Sequence, residues 1–134
     1  MTAVLVDTRI LLWALYEPDR LAESTRDLLA DPDQEVWFSA ASIWEIAIKF
    51  GLSRPDFTAN PYEVRAEALR LGFRELEING LHAAQVIALP RLHTDPFDRL
   101  LVAQTTATGL TLLTADSQVA AYPGPVQFVA VAHR

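Results

Sequence analysis

The sequence predicts an α/β fold, a three-layer α/β/α sandwich around a mostly parallel central sheet. Two observations carry that expectation. Short apolar, β-branched runs alternate along the whole chain with segments whose apolar residues recur at helical spacing. No internal repeat or linker interrupts the alternation, so residues 1–134 read as one domain.

The elements follow in order. Residues 3–6 are a buried strand that stops at Asp7 and feeds a helix over 8–15, a βα opening. Pro18 and Asp19 break that helix; helical spacing resumes over 21–30, where Leu21, Thr25, Leu28 and Leu29 share a face. Residues 35–39 read as a second buried strand, and Ser39 is a suitable N-cap for a helix over 40–50 that Gly51 should end from the C′ position. Asn60 caps the next helix and Pro61 fits its first turn, with Val64, Ala68 and Leu69 leading to Gly72. Residues 73–78 alternate apolar and charged side chains, as a strand with one wet face does. Asn79 caps a helix ending near Leu89-Pro90, and Asp95-Pro96 opens another that runs to Gly109. Residues 110–114 form a strand, 116–121 a helical turn, and 126–131 a last strand after Pro123-Gly124-Pro125.

The chain is 51% apolar and 21% charged, which excludes a disordered or low-complexity segment as its basis. It has no cysteine, so disulfide frameworks, thiolate zinc sites and cysteine nucleophiles are excluded together, and a reducing compartment fits. The apolar run over 10–16 is too short, and wrongly flanked by Asp7 and Arg9, to be a signal peptide or a membrane span. A cytoplasmic location without a membrane partner is expected. With 11 Lys+Arg against 17 Asp+Glu, the net charge of −6 has the wrong sign for gripping nucleic acid by charge alone.

Ligands of such sheets bind beyond the carboxyl ends of the strands, which draws attention to Asp7 at the end of the first strand and to Asp116 just after residues 110–114. Asp98 falls in a helix's first turn. Each of the three, taken alone, is explained by capping or by the helix dipole. Asp95 reads as a cap, with Asp98 at N3 completing a near copy of a capping box. Glu45 differs, because Ser42-Ile43-Trp44-Glu45-Ile46-Ala47-Ile48 surrounds it with apolar positions. An ionised Glu buried there costs several kcal/mol unless a partner meets it. Lys49 at i+4 offers a plain intrahelical ion pair. The sharper alternative is that Glu45 and the acids at the strand ends share a cleft around a hard divalent cation. Oxygen donors without thiolate or clustered imidazole select Mg2+ or Mn2+. His82, His93 and His133 are too scattered for a zinc site, and His93 reads as a polar loop residue. Nucleophile elbows, Walker phosphate loops, GxGxxG and HExxH motifs are all missing.

Four stretches then resemble the PIN-domain ribonucleases, and among them the VapC-type toxins of type II toxin–antitoxin systems. They are Val4-Leu5-Val6-Asp7-Thr8; Ser39-Ala40-Ala41-Ser42-Ile43-Trp44-Glu45-Ile46 with Lys49 and Gly51; Leu92-His93-Thr94-Asp95-Pro96-Phe97-Asp98-Arg99-Leu100-Leu101-Val102-Ala103-Gln104; and Leu112-Leu113-Thr114-Ala115-Asp116 with Tyr122-Pro123. The third is the most specific. The resemblance implies that Asp7, Glu45, Asp98 and Asp116 are the acidic metal-binding and catalytic positions, that Mg2+ or Mn2+ is the cofactor, and that RNA is cut endonucleolytically by a metal-activated water. It also implies a homodimer and a VapB-like antitoxin protein as partner.

Arg9 departs from the family, whose members more often carry His, Ser or Asn there; it holds a phosphate or is a solvated helix residue. Arg54, Arg91 and Arg99 are candidate phosphate contacts, against the plainer reading of solvated surface residues. Three rivals remain. A receiver-type phosphoacceptor needs a Lys near its phosphoryl group, yet the single Lys49 sits beside Glu45, and a haloacid-dehalogenase-type hydrolase is contradicted by Asp7-Thr8-Arg9 at its DxD position. The third is a catalytically silent PIN-like protein-interaction module whose acids are caps and ion pairs.

Overall fold

Val4, Leu5 and Val6 point alternately to opposite faces of a strand, and each face meets a different apolar core. The structure, a computed structural model, describes residues 3–132. The central strand, β1 (Val4–Val6), hydrogen-bonds on one side to β2 (Val36–Ser39) and on the other to β4 (Thr111–Thr114). With β3 (Arg74–Leu76) and β5 (Val126–Phe128) outside them, the order is β3-β2-β1-β4-β5 and every pair is parallel.

Helices cover both faces, as a parallel sheet requires. On one side Val4, Val6 and Leu113 pack with Ile10 and Leu11 of α1 (Thr8–Tyr16), Ile46 of α3 (Ala40–Gly51), and Val64 and Ala68 of α4 (Pro61–Arg70). Across the sheet, Leu5 and Leu112 pack with Leu101 and Val102 of α6 (Pro96–Thr108), Val119 of α7 (Ser117–Ala120) and Tyr122. Two further helices, α2 (Glu23–Ala30) and α5 (Gly80–Gln85), complete the set. Among the described residues no helix is long and apolar enough to cross a membrane.

Capping residues mark most helix starts. Asp7, Ser39, Asn60, Asn79, Asp95 and Asp116 each accept a hydrogen bond from a backbone N–H of the helix they open. Gly51 departs from the sequence expectation: it remains inside α3, and the left-handed residue that turns the chain is Ser53, at φ 55°. Leu21 is extended rather than helical, because a 3-10 turn at Pro18–Arg20 precedes it and it bridges antiparallel to Val131. The segment after Asn79 is helical only to Gln85 and tightens into a 3-10 turn at Val86–Ala88. β3 and β5, at the two edges, are each three residues long, and the last strand stops at Phe128 rather than reaching residue 131.

The sheet order sets the site. From β1 the chain winds outward to β2 and β3, then returns to the other side of β1 for β4 and β5. The reversal opens a crevice at the carboxyl ends of β1 and β4. Asp7 and Asp116 follow those two ends.

Candidate active site

A cleft of about 290 Å³ occupies that crevice, and Asp7, Glu45, Asp98 and Asp116 all line it. Asp7 is 5% exposed, held by its own N–H donating to Leu113 O and by the Ile10 N–H donating to its Oδ1 at 2.8 Å. Burial pushes its pKa up to about 6, with the charge of Asp98 adding to the rise; the Ile10 N–H, the Thr114 hydroxyl and the Arg9 guanidinium hold it back. Asp98 enters from the first turn of α6, set by Asp95, whose Oδ1 accepts from the N–H groups of Phe97 and Asp98. Burial raises the pKa of Asp98, as do the charges of Asp95 and Glu45, while the hydrogen bond with His93 lowers it. Asp116 is oriented by its own N–H donating to Thr114 Oγ1 and by its Oδ1 accepting from Gln118 N–H.

Glu45 reaches the cleft from α3 with both oxygens engaged. The Thr8 hydroxyl donates to Oε1 at 2.7 Å and Lys49 Nζ donates to Oε2 at 2.8 Å. The plain intrahelical pair is therefore formed, and it faces the cleft rather than replacing it. Lys49 is half exposed, so its attraction is screened on the solvent side.

His93 is the residue that the sequence reading passes over. It lies in the loop before α6, yet its Nε2 is 2.9 Å from Asp98 Oδ2 and 3.9 Å from Asp116 Oδ2. One ligand atom each from His93, Asp98 and Asp116 falls within 4.8 Å of the others, a grouping that among the described residues excludes Asp7 and Glu45. The sequence carried the position of His93 near this helix end but not the direction of its side chain. Asp95 caps α6 two residues later, which draws His93 back to the same helix end as Asp98. Instead of closing a capping box, Asp98 turns its carboxylate to this imidazole.

The donor set fits a divalent ion. Five carboxylates (Asp95 is the fifth) line the cleft against two permanent cations, Arg9 and Lys49, leaving a surplus of negative charge that a hard cation neutralises. The other arginines fall away. Arg99 spends its guanidinium on Pro90 O, Val86 O and Tyr122 Oη; Arg54 and Arg91 are exposed and do not line the cleft. His82 pairs with Asn79 and Gln104, and His133 lies outside the described residues. A larger cavity of about 600 Å³ lies beside Leu21, Leu29, Val36 and Phe73, with Arg26 and Asp31 as its charged lining residues, and contains none of these groups.

Comparison with known proteins follows the same line. No match is found among curated proteins. The crystal structure of VapBC2 from Rickettsia felis bound to a DNA fragment from their promoter contains a similar chain, with a TM-score of 0.67 and 15% identity over 96% of this chain and 99% of that one. A toxin–antitoxin complex from Klebsiella pneumoniae contains another, with a TM-score of 0.62 and 18% identity over 92% and 95%. At such identities the likeness is one of fold. Residues 4–125 match the sequence profile of the PIN domain. That match runs from the first residue of β1 through all the acids of the cleft, and by it the chain belongs to the PIN-domain family.

Proposed function

We propose that this chain is a VapC-type toxin of a toxin–antitoxin pair, a divalent-metal-dependent endoribonuclease acting in the cytoplasm. The observation that carries the reading is the convergence of Asp7, Glu45, Asp98 and Asp116 on one cleft at the β1/β4 crevice. Membership of the PIN-domain family supports a nuclease, and the two toxin–antitoxin structures of like fold support the pairing with a VapB-like antitoxin. The homodimer is proposed on the same likeness.

In this reading Asp7, Glu45, Asp98 and Asp116 hold Mg2+ or Mn2+. When bound, the ion supplies a Lewis acid for a phosphate oxygen and lowers the pKa of a bound water. The chain's own residues do the rest. Thr8 fixes the Glu45 carboxylate, Lys49 neutralises its outer oxygen, and Arg9 at the mouth offers a guanidinium to an incoming phosphate. A net charge of −6 repels RNA elsewhere on the surface, so recruitment depends on these few groups and on the loaded ion.

The test is incubation of purified protein with total RNA, with and without Mg2+ or Mn2+, beside Asp7→Asn, the fragments being mapped by end sequencing. Cleavage by the wild type alone, and only with metal, is expected. The silent interaction module is favoured by one set of observations: Asp7 and Asp116 cap helices, and Glu45 is paired with Lys49. Calorimetry with Mn2+ separates the two, because an inert module shows no binding that Asp7→Asn abolishes.

A further inference from the structure

We infer that His93 is a nitrogen ligand of the metal centre that makes it select Mn2+ over Mg2+, with Arg99 and Tyr122 as the residues that position it. The inference rests on the metal-dependent reading above and adds to it the donor that decides which ion is held. Its basis is a loop residue fixed far more firmly than a solvated one needs to be. Tyr122 is 3% exposed in the second core, and its Oη accepts from the His93 N–H at 3.0 Å and donates to His93 O at 3.3 Å. Arg99 donates to the same Oη at 3.0 Å, which fills the remaining acceptor position of the phenol. Two further donations from Arg99, to Pro90 O and Val86 O, tie the preceding turn to α6. Both side chains are thus committed to the backbone around His93.

The imidazole so placed is only 14% exposed and stands between two carboxylates. Bonds of about 2.1 Å to an octahedral ion put neighbouring ligand atoms about 3 Å apart and opposite ones about 4.2 Å apart. The 2.9 Å from Nε2 to Asp98 matches the neighbouring spacing and the 3.9 Å to Asp116 lies near the opposite one; the 2.9 Å contact is a hydrogen bond in the ion-free site, and an entering ion would take the place of its proton, released to solvent. An imidazole nitrogen is a good donor to first-row transition ions, whereas Mg2+ demands oxygen. One nitrogen among oxygens therefore tilts a site that carboxylates alone leave open to both ions.

Calorimetric titrations of the whole protein with Mn2+ and with Mg2+, for wild type, His93→Asn and Tyr122→Phe, read the selectivity directly. Loss of a ligand or of its support costs about tenfold or more in affinity for the ion that uses it. His93→Asn is expected to weaken Mn2+ by that factor while changing Mg2+ less, and Tyr122→Phe to move the Mn2+/Mg2+ ratio in the same direction. Pulsed electron paramagnetic resonance of the Mn2+-loaded wild type should show an imidazole nitrogen coupling that His93→Asn removes; the wild-type spectrum decides even where a variant fails to fold. If the wild type binds Mn2+ in a manner that Asp98→Asn abolishes but shows no nitrogen coupling, or His93→Asn weakens both ions equally, the His93 assignment is overturned and the nuclease reading stands. Absence of carboxylate-dependent binding of either ion overturns both.

Discussion

Asp7 combines two roles whose energies oppose each other: its oxygen caps α1, while its charge is buried beside Asp98. Because burial lifts its pKa from 3.8 to about 6, the native state binds more protons than the unfolded chain across that interval. The stabilisation this gives is fully present below 3.8 and is lost as pH rises through about 6; at neutral pH the ionised group costs on the order of 2–3 kcal/mol. Asp98 shifts in the same direction and steepens the decline. Asn keeps the cap acceptor without the charge. Asp7→Asn should therefore be more stable than the wild type in metal-free urea denaturation at pH 7.5, with the gap closing towards pH 4, and should cut no RNA. A variant weaker at both pH values would return Asp7 to a purely structural role. Glu45→Gln should also stop cleavage, yet change the unfolding free energy from urea denaturation by less than about 1 kcal/mol, since its Lys49 partner is half exposed and readily solvated.

At the scale of an element, two glycines that look alike in the sequence have opposite duties. Gly109 follows α6 in the left-handed region at φ 79°, whereas Gly51 keeps helical geometry within α3, and a Cβ at either would meet nothing within 4 Å. Space is not the issue, so backbone entropy and φ alone decide the sign. Gly51→Ala should raise thermal stability by about 0.5–1 kcal/mol, and Gly109→Ala should lower it by about 1–2 kcal/mol. Melting temperatures of both proteins check the pair. Helix starts were legible because their caps are local: Ser39, Asn60, Asn79 and Asp95 each bond within three residues. Helix ends were less so, for at α3 the left-handed turn falls on Ser53, a residue with no special propensity to announce it.

Across the whole molecule, β2, the loop after β3 and α5 are tied to α6 through Gln104, which is fully buried. Ser39 donates to its Oε1 at 2.6 Å, and its Nε2 donates to Glu77 O at 3.2 Å, linking β2 to the loop after β3. Replacement by an apolar side chain of like size leaves the fully buried Ser39 hydroxyl without its acceptor, whereas the exposed Glu77 carbonyl can turn to water. Gln104→Met should cost about 1–3 kcal/mol, read as a fall in the urea midpoint. Cleavage below the melting temperature should persist, because no atom of this network lines the cleft.

The sequence by itself determined the layered α/β architecture, the parallel pairing implied by strands separated by helices, and the identity of the acids that meet in the cleft. The layers follow from local periodicity, and Asp7 and Asp116 from where strands end; resemblance to the PIN-domain ribonucleases added Glu45 and Asp98, while Asp95, which also lines the cleft, read only as a cap. Tertiary structure alone decided how these groups relate. The strand order that sets β1 beside β4, the bond from Thr8 to Glu45 across the cleft, the commitment of Arg99 to backbone carbonyls, and the entry of His93 between Asp98 and Asp116 all depend on contacts between distant or differently oriented segments. A loop's side-chain direction has no period to read. It is set by whichever buried partner, here Tyr122, satisfies the loop's backbone groups.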